Sequence, residues 1–181
     1  VRAPAGFQGW GGGTLEEREN RSNRRGYHSG SSWPNDEAVI GMGLARDGHR
    51  SEAGQIMTGL FETASAVPMF RLPELFCGFP RREEEGPTFY PVACSPQGWA
   101  SGSVVGLLEA VTGMSIERDQ GSSRVQVSIR SPCLRKGLNH LDINGLRLGE
   151  EEINLQFHRS DHDVGVLVRG RTPGVDVLIM K

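Results

Sequence analysis

The chain has 181 residues with Gly 25, Pro 10 and Cys 3, and Lys+Arg 20 against Asp+Glu 22 leave a net charge of -2. That length can bury a core without disulfide or metal staples, and the charge balance excludes a strongly basic nucleic-acid binder. No apolar run approaches the roughly 20 residues that cross a bilayer, and no signal-peptide core opens the chain, so no membrane partner is expected. Cys77, Cys94 and Cys133 are odd in number and widely spaced, a pattern that fits a reduced, cytoplasmic setting.

Residues 1–33 are rich in Gly, Ser, Asn and Arg, lack a sustained apolar period and read as loop. Pro34 opens a first helix, with Asp36 and Glu37 answering the positive end of its dipole, and Gly48 ends it. A second helix starts after Ser51 as cap and carries Ala53, Ile56, Met57, Leu60, Phe61 and Ala64 on one stripe. The long segment Val67 to Ala93 has no clear period; loops of that length in a compact domain are uncommon and are usually functional. Ser95 and Pro96 open a third helix through Ala100, Val104, Leu107, Leu108 and Val111, closed by Gly113. From Arg124 onward the apolar period becomes two, which predicts strands with one buried and one wet face. Asn144-Gly145 predicts a hairpin turn and Pro173-Gly174 another turn. The expected architecture is a mainly α body over residues 1–115 with a small antiparallel sheet appended over 116–181.

Aromatic and polar clusters stand at the helix ends. Tyr27-His28 through Trp33-Pro34-Asn35-Asp36 leads into the first helix, Arg71 to Gly78 follows the second, and Tyr90 to Trp99 leads into the third. Antiparallel packing of neighbouring helices would bring these clusters to one rim. Aromatic rings stack on sugar rings, while carboxylates, amides and guanidinium groups take the hydroxyls. Trp10, Tyr27, His28, Trp33, Asp36, Arg71, Tyr90, Gln97 and Trp99 are the candidate sugar-binding residues.

The stretch from Gly9-Trp10-Gly11, with Thr14-Leu15, to Gly113 resembles the C-terminal part of the bacterial and archaeal amylo-alpha-1,6-glucosidase (glycogen debranching enzyme) family. The matching pieces are Tyr27-His28-x-Gly30-Ser31-x-Trp33-Pro34-x-Asp36, Arg71-Leu72-Pro73-Glu74-Leu75-Phe76-Cys77-Gly78 and Tyr90-Pro91-Val92-Ala93-Cys94-Ser95-Pro96-Gln97-x-Trp99. The strand-rich tail resembles that family's terminal region more loosely. The resemblance implies a partial (α/α)6 toroid and inverting hydrolysis of an alpha-glucosidic bond. Such a reaction uses an acid and a base about 6.5–9.5 Å apart, with water between them. Glu74 takes the position of the general base, and the general acid is expected before Val1. The chain departs from the family pattern in having Asn35-Asp36-Glu37 where His-Asp-Asn is usual. It also has Gly13 in place of an arginine, and no Asn-Pro between Arg18 and Arg25.

Each candidate has a plainer role open to it. Glu74 can be a solvated or turn-capping loop carboxylate. Asp36 can answer the helix dipole, touch a sugar hydroxyl or act as the acid partner of Glu74. Trp33 and Trp99 can be pocket walls or core, and Arg71 can bind a hydroxyl or fix its loop. His158 and His162 with Asp161 and Asp163 read as a surface turn without helical metal-ligand spacing, so no metal is expected, and no cofactor is expected because both proton transfers of the hydrolysis use side chains. The acidic run Glu83 to Glu85 reads as a solvated loop tip, and Cys77 and Cys94 as buried thiols. A helical toroid needs around twice this length or more, at about 10–15 residues per helix plus loops. The chain is therefore expected to be inactive alone, acting on an alpha-glucan or oligosaccharide together with a missing N-terminal part of the same polypeptide. The alternatives are a non-catalytic carbohydrate-binding or structural remnant, and an interaction module that docks through its apolar helix faces.

Overall fold

A computed structural model describes residues 7–15, 19–82, 84–118, 121, 124–135, 137–161 and 163–181. The chain divides into two compact units, one ending at Leu108 and the other spanning Glu109–Lys181. Glu83 and His162 lie outside the described residues, as does Arg18.

The first unit holds helices α1 (Pro34–Arg46) and α2 (Arg50–Ser65) and the start of α3 (Gly98–Thr112), which runs across the unit boundary. Pro34 occupies the first turn of α1, where its missing N–H leaves no bond unmade. His49, not Ser51, is the residue flanking the start of α2, and α3 begins at Gly98, beyond Ser95 and Pro96. Ala53, Ile56, Met57, Leu60 and Ala64 of α2 are buried, while Phe61 stands half out at the edge of the stripe. Small residues set how closely the elements approach. A Cβ on Gly41 of α1 would stand 2.6 Å from Leu107 Cδ2 of α3, and one on Gly59 of α2 would stand 2.6 Å from the Trp10 carbonyl oxygen.

The second unit carries strands β1 (Met114–Arg118), β2 (Val125–Arg130), β3 (His140–Leu148), β4 (Glu151–Arg159), β5 (Val164–Arg171) and β6 (Val175–Met180). They form two sheets, ordered β1-β2-β6 and β3-β4-β5. Val125, Val127 and Ile129 of the first sheet share one buried cluster with Ile153, Leu155 and Phe157 of the second. Their apolar alternation is thus spent on a common core.

These findings overturn the expected partial (α/α)6 toroid: among the described residues there are three α-helices and two three-stranded sheets, a mixed α and β architecture. Helical periodicity stops at Ser65 and resumes at Gly98. The intervening chain holds a single 3-10 turn, Pro68–Phe70, among irregular described residues, with Phe76 bridging antiparallel to both Ser32 and Phe89. The single antiparallel sheet is corrected too. β2 pairs β6 in parallel, a pairing that needs a long crossover, and the β3-β4-β5 sheet supplies it. The turn expected at Pro173-Gly174 is present and carries the chain from one sheet to the other.

Asn144-Gly145 does not turn the chain. It sits inside β3 as a bulge, with the register against β4 shifting between Ile143 and Leu146. Gly145 takes φ 65°, which glycine adopts freely, and its N–H donates to Asn154 Oδ1 at 2.7 Å. The hairpin closes later, at Gly149-Glu150.

Candidate active site

Three loop segments of the first unit are laced together by backbone bonds. Ser32 N–H donates to Phe76 O at 2.9 Å and Phe76 N–H returns to Ser32 O at 3.0 Å. Cys77 N–H donates to Thr88 O at 2.8 Å, and Glu74 N–H donates to Cys94 O at 2.8 Å. The backbone of Glu74 to Cys77 thus lies between the segment before α1 and the segment before α3. This placement satisfies polar groups that a loop would otherwise leave bare.

Glu74, at a bend in that backbone, is half-buried. The Tyr27 hydroxyl donates to Oε1, and the Cys94 backbone N–H donates to Oε2 at 3.0 Å. The Tyr27 bond, followed by the Cys94 amide bond, holds the Glu74 carboxyl below its ordinary range. The same bond to a carboxylate, with burial second, pushes the Tyr27 phenol up to about 12. Glu74 is therefore ionised, and Tyr27 protonated, at neutral pH.

Tyr27 is also the hub of a ring cluster. Its ring meets His28 at 4.6 Å, Trp33 at 4.8 Å and Tyr90 at 5.7 Å, each edge to face. His28 lies flat on Trp33 at 5.0 Å with the rings 9° apart. The Trp33 indole N–H donates to Tyr27 O at 2.9 Å and to Ser31 Oγ at 3.2 Å, and Ser31 Oγ donates to Tyr27 O at 2.5 Å. The structure thus brings Tyr27, His28, Trp33, Glu74 and Tyr90 together at a surface where Tyr27 and His28 are exposed.

No family model matches the chain, and no curated protein matches it.

The other candidates lie elsewhere. Trp10 is buried at 7 % exposure beneath the Arg81 guanidinium, which sits 4.5 Å above its ring and pairs with Glu62. It lines a cleft with Arg25, Phe79, Pro80, Arg82 and Thr88 that has neither Tyr27 nor Glu74 in its walls. Asp36 is exposed in the first turn of α1. Trp99 is 72 % exposed near the start of α3, so it is not core. Arg71 is exposed, and Gln97 is tied by its backbone N–H to Leu72 O at 3.3 Å. Among the described residues no hydrogen bond or ring contact joins Trp10, Asp36, Arg71 or Trp99 to the Glu74 cluster. No group of three or more His, Cys, Asp or Glu there could hold a metal ion.

Two functional groups escaped sequence reasoning. Cys94, expected to be a buried thiol, is exposed, and both its backbone N–H and its side chain reach Glu74; Cys77 is buried. Glu37, only 1 % exposed, accepts the Gly12 N–H, and burial pushes its carboxyl up to about 8. Its place in the first helical turn gave no sign of this, because a first-turn acid ordinarily faces solvent.

Proposed function

We propose that the Glu74 cluster is the base half of a glycoside-hydrolysing site acting on an alpha-glucosidic bond with inversion. Water bound at the free lone pairs of Glu74 attacks the anomeric carbon. Its proton passes to the carboxylate as the bond to the leaving oxygen breaks, and that oxygen takes a proton from an acid outside this chain. The observation that carries this function is an ionised carboxylate held between a tyrosine hydroxyl and a backbone amide, at the edge of a ring cluster of exposed Tyr27 and His28 with half-buried Trp33 and Tyr90. A depressed carboxyl is a weak base, but an oxocarbenium-like carbon is a strong electrophile and asks little of its base. The resemblance of Arg71 to Gly78 and of Tyr90 to Trp99 to the debranching glucosidases supports the same assignment. We place the protein in the cytoplasm, in keeping with free thiols at Cys77, Cys94 and Cys133. Among the described residues no helix is long and apolar enough to cross a membrane.

Replacing Glu74 by Gln in the native polypeptide tests the function. Turnover of a branched alpha-glucan falls to background while oligosaccharide binding, read by tryptophan fluorescence, survives; unchanged turnover overturns the assignment. One observation favours a second function, carbohydrate binding without hydrolysis: both Glu74 oxygens already accept hydrogen bonds, as in a purely structural carboxylate. In that case Glu74→Gln weakens binding and no hydrolysis is detected in either form.

A further inference from the structure

Glu74 has no covalent reason to face outward at a fixed angle, since its side chain turns about three single bonds and gives up rotamer freedom when it is immobilised. Two groups hold it. Cys94 supplies a backbone amide, which also receives Glu74 into a reciprocal pair through the Glu74 N–H to Cys94 O bond of 2.8 Å. Tyr27 supplies the other through its side chain, whose bond shifts Glu74 further than those from the Cys94 amide and side chain. The Tyr27 side chain is fixed from three directions by the rings of His28, Trp33 and Tyr90. Its backbone is fixed as well, because Tyr27 O receives both the Trp33 indole N–H and the Ser31 hydroxyl. The arrangement is a rigid arm ending in a donor, with its shaft inside the surface on which a sugar ring would rest.

We infer that Tyr27 is a positioning residue whose hydroxyl orients the Glu74 carboxylate, tying the aromatic platform to the carboxylate that works beside it. The hydroxyl takes one lone pair of Oε1 and leaves the other for the attacking water. The ring cluster keeps the hydroxyl from following substrate or solvent. Nothing in the sequence pattern separates Tyr27 from the other aromatic candidates. The separation is geometric, since Tyr27 both touches the other rings of the cluster and reaches the carboxylate. The link between the two halves rests on the hydrolytic function proposed for Glu74, whereas the clamp itself does not.

The test is an NMR titration of the chain with 13C-labelled glutamate carboxyl and tyrosine ring carbons. Glu74→Gln and Tyr27→Phe assign the two signals. Tyr27→Phe keeps the ring and deletes the donor. The Glu74 signal is expected to titrate at higher pH in that variant than in the wild type, with near-ultraviolet dichroism unchanged. In Glu74→Gln the Tyr27 signal, near 12 in the wild type, falls back toward 10. In the native polypeptide, Tyr27→Phe lowers kcat by about tenfold or more while KM moves less than about twofold, as for an interaction realised in the transition state. A Glu74 signal that titrates unchanged in Tyr27→Phe overturns the inference. Should that variant not fold, an unmoved Tyr27 signal in Glu74→Gln overturns it alone. Failure of the hydrolytic function looks different: both titrations shift, but Glu74→Gln leaves turnover intact.

Discussion

A carboxylate between a phenol and an amide and a carboxyl sealed in the interior show how environment divides two glutamates. Glu74 is held below its ordinary range, chiefly by the Tyr27 hydroxyl, so its basic form persists as pH falls. Hydrolysis is therefore expected to hold its rate on the acid side and to decline only below the ordinary glutamate range of about 4.3. A pH–rate profile checks this, and Tyr27→Phe moves the acid limb upward. Glu37 behaves in the opposite way, because burial raises it from 4.5 to about 8 and the folded state prefers it neutral. Between those values the native protein binds the proton more tightly than the unfolded chain, so stability falls as pH rises through that window. The loss is on the order of a few kcal/mol. Glu37→Gln keeps an acceptor for the Gly12 N–H without the charge, and thermal melts of that variant should be flat from pH 5 to 8 and exceed wild type above pH 8. At this scale the segments Tyr27–Trp33, Arg71–Gly78 and Tyr90–Cys94 were legible, since aromatic and carboxylate residues crowd there without an apolar period. Glu37 and the Cys94 amide were not, because burial and backbone bonding depend on which distant segment arrives.

Among the elements, the glycines of the helices separate by what they face. A Cβ on Gly43 of α1 would meet nothing within 4 Å, whereas one on Gly59 of α2 would run into the Trp10 carbonyl. Gly43→Ala should stabilise by up to about 1 kcal/mol through helix propensity. Gly59→Ala should destabilise by about 1–3 kcal/mol, because backbone cannot yield as a side-chain tip does. Urea denaturation of the two variants gives opposite shifts in midpoint. The helices themselves were legible from period and from Pro34, and so were the strands with strict alternation. The pairing of strands was not. Alternation tells which face is buried, but it does not distinguish Asn144-Gly145 as a bulge from a hairpin, since glycine at positive φ serves both. Nor does it reveal that β6 pairs β2 in parallel, which depends on where the intervening sheet folds.

For the whole molecule, two units each with their own secondary structure replace the helical ring that the motifs implied. Loop motifs report the chemistry they carry more directly than the architecture that presents them, so the corrected fold does not bear on the function proposed for the Glu74 cluster. The central claim is that this cluster activates water at a sugar carbon. α-D-Glucosyl fluoride, given to the native polypeptide, tests it most directly, because fluoride leaves without needing the proton donor that a glucan demands. Proton NMR of the reaction should show release above the spontaneous rate, β-glucose as the first product, and background release with Glu74→Gln. Equal rates for the wild type and Glu74→Gln would contradict the claim.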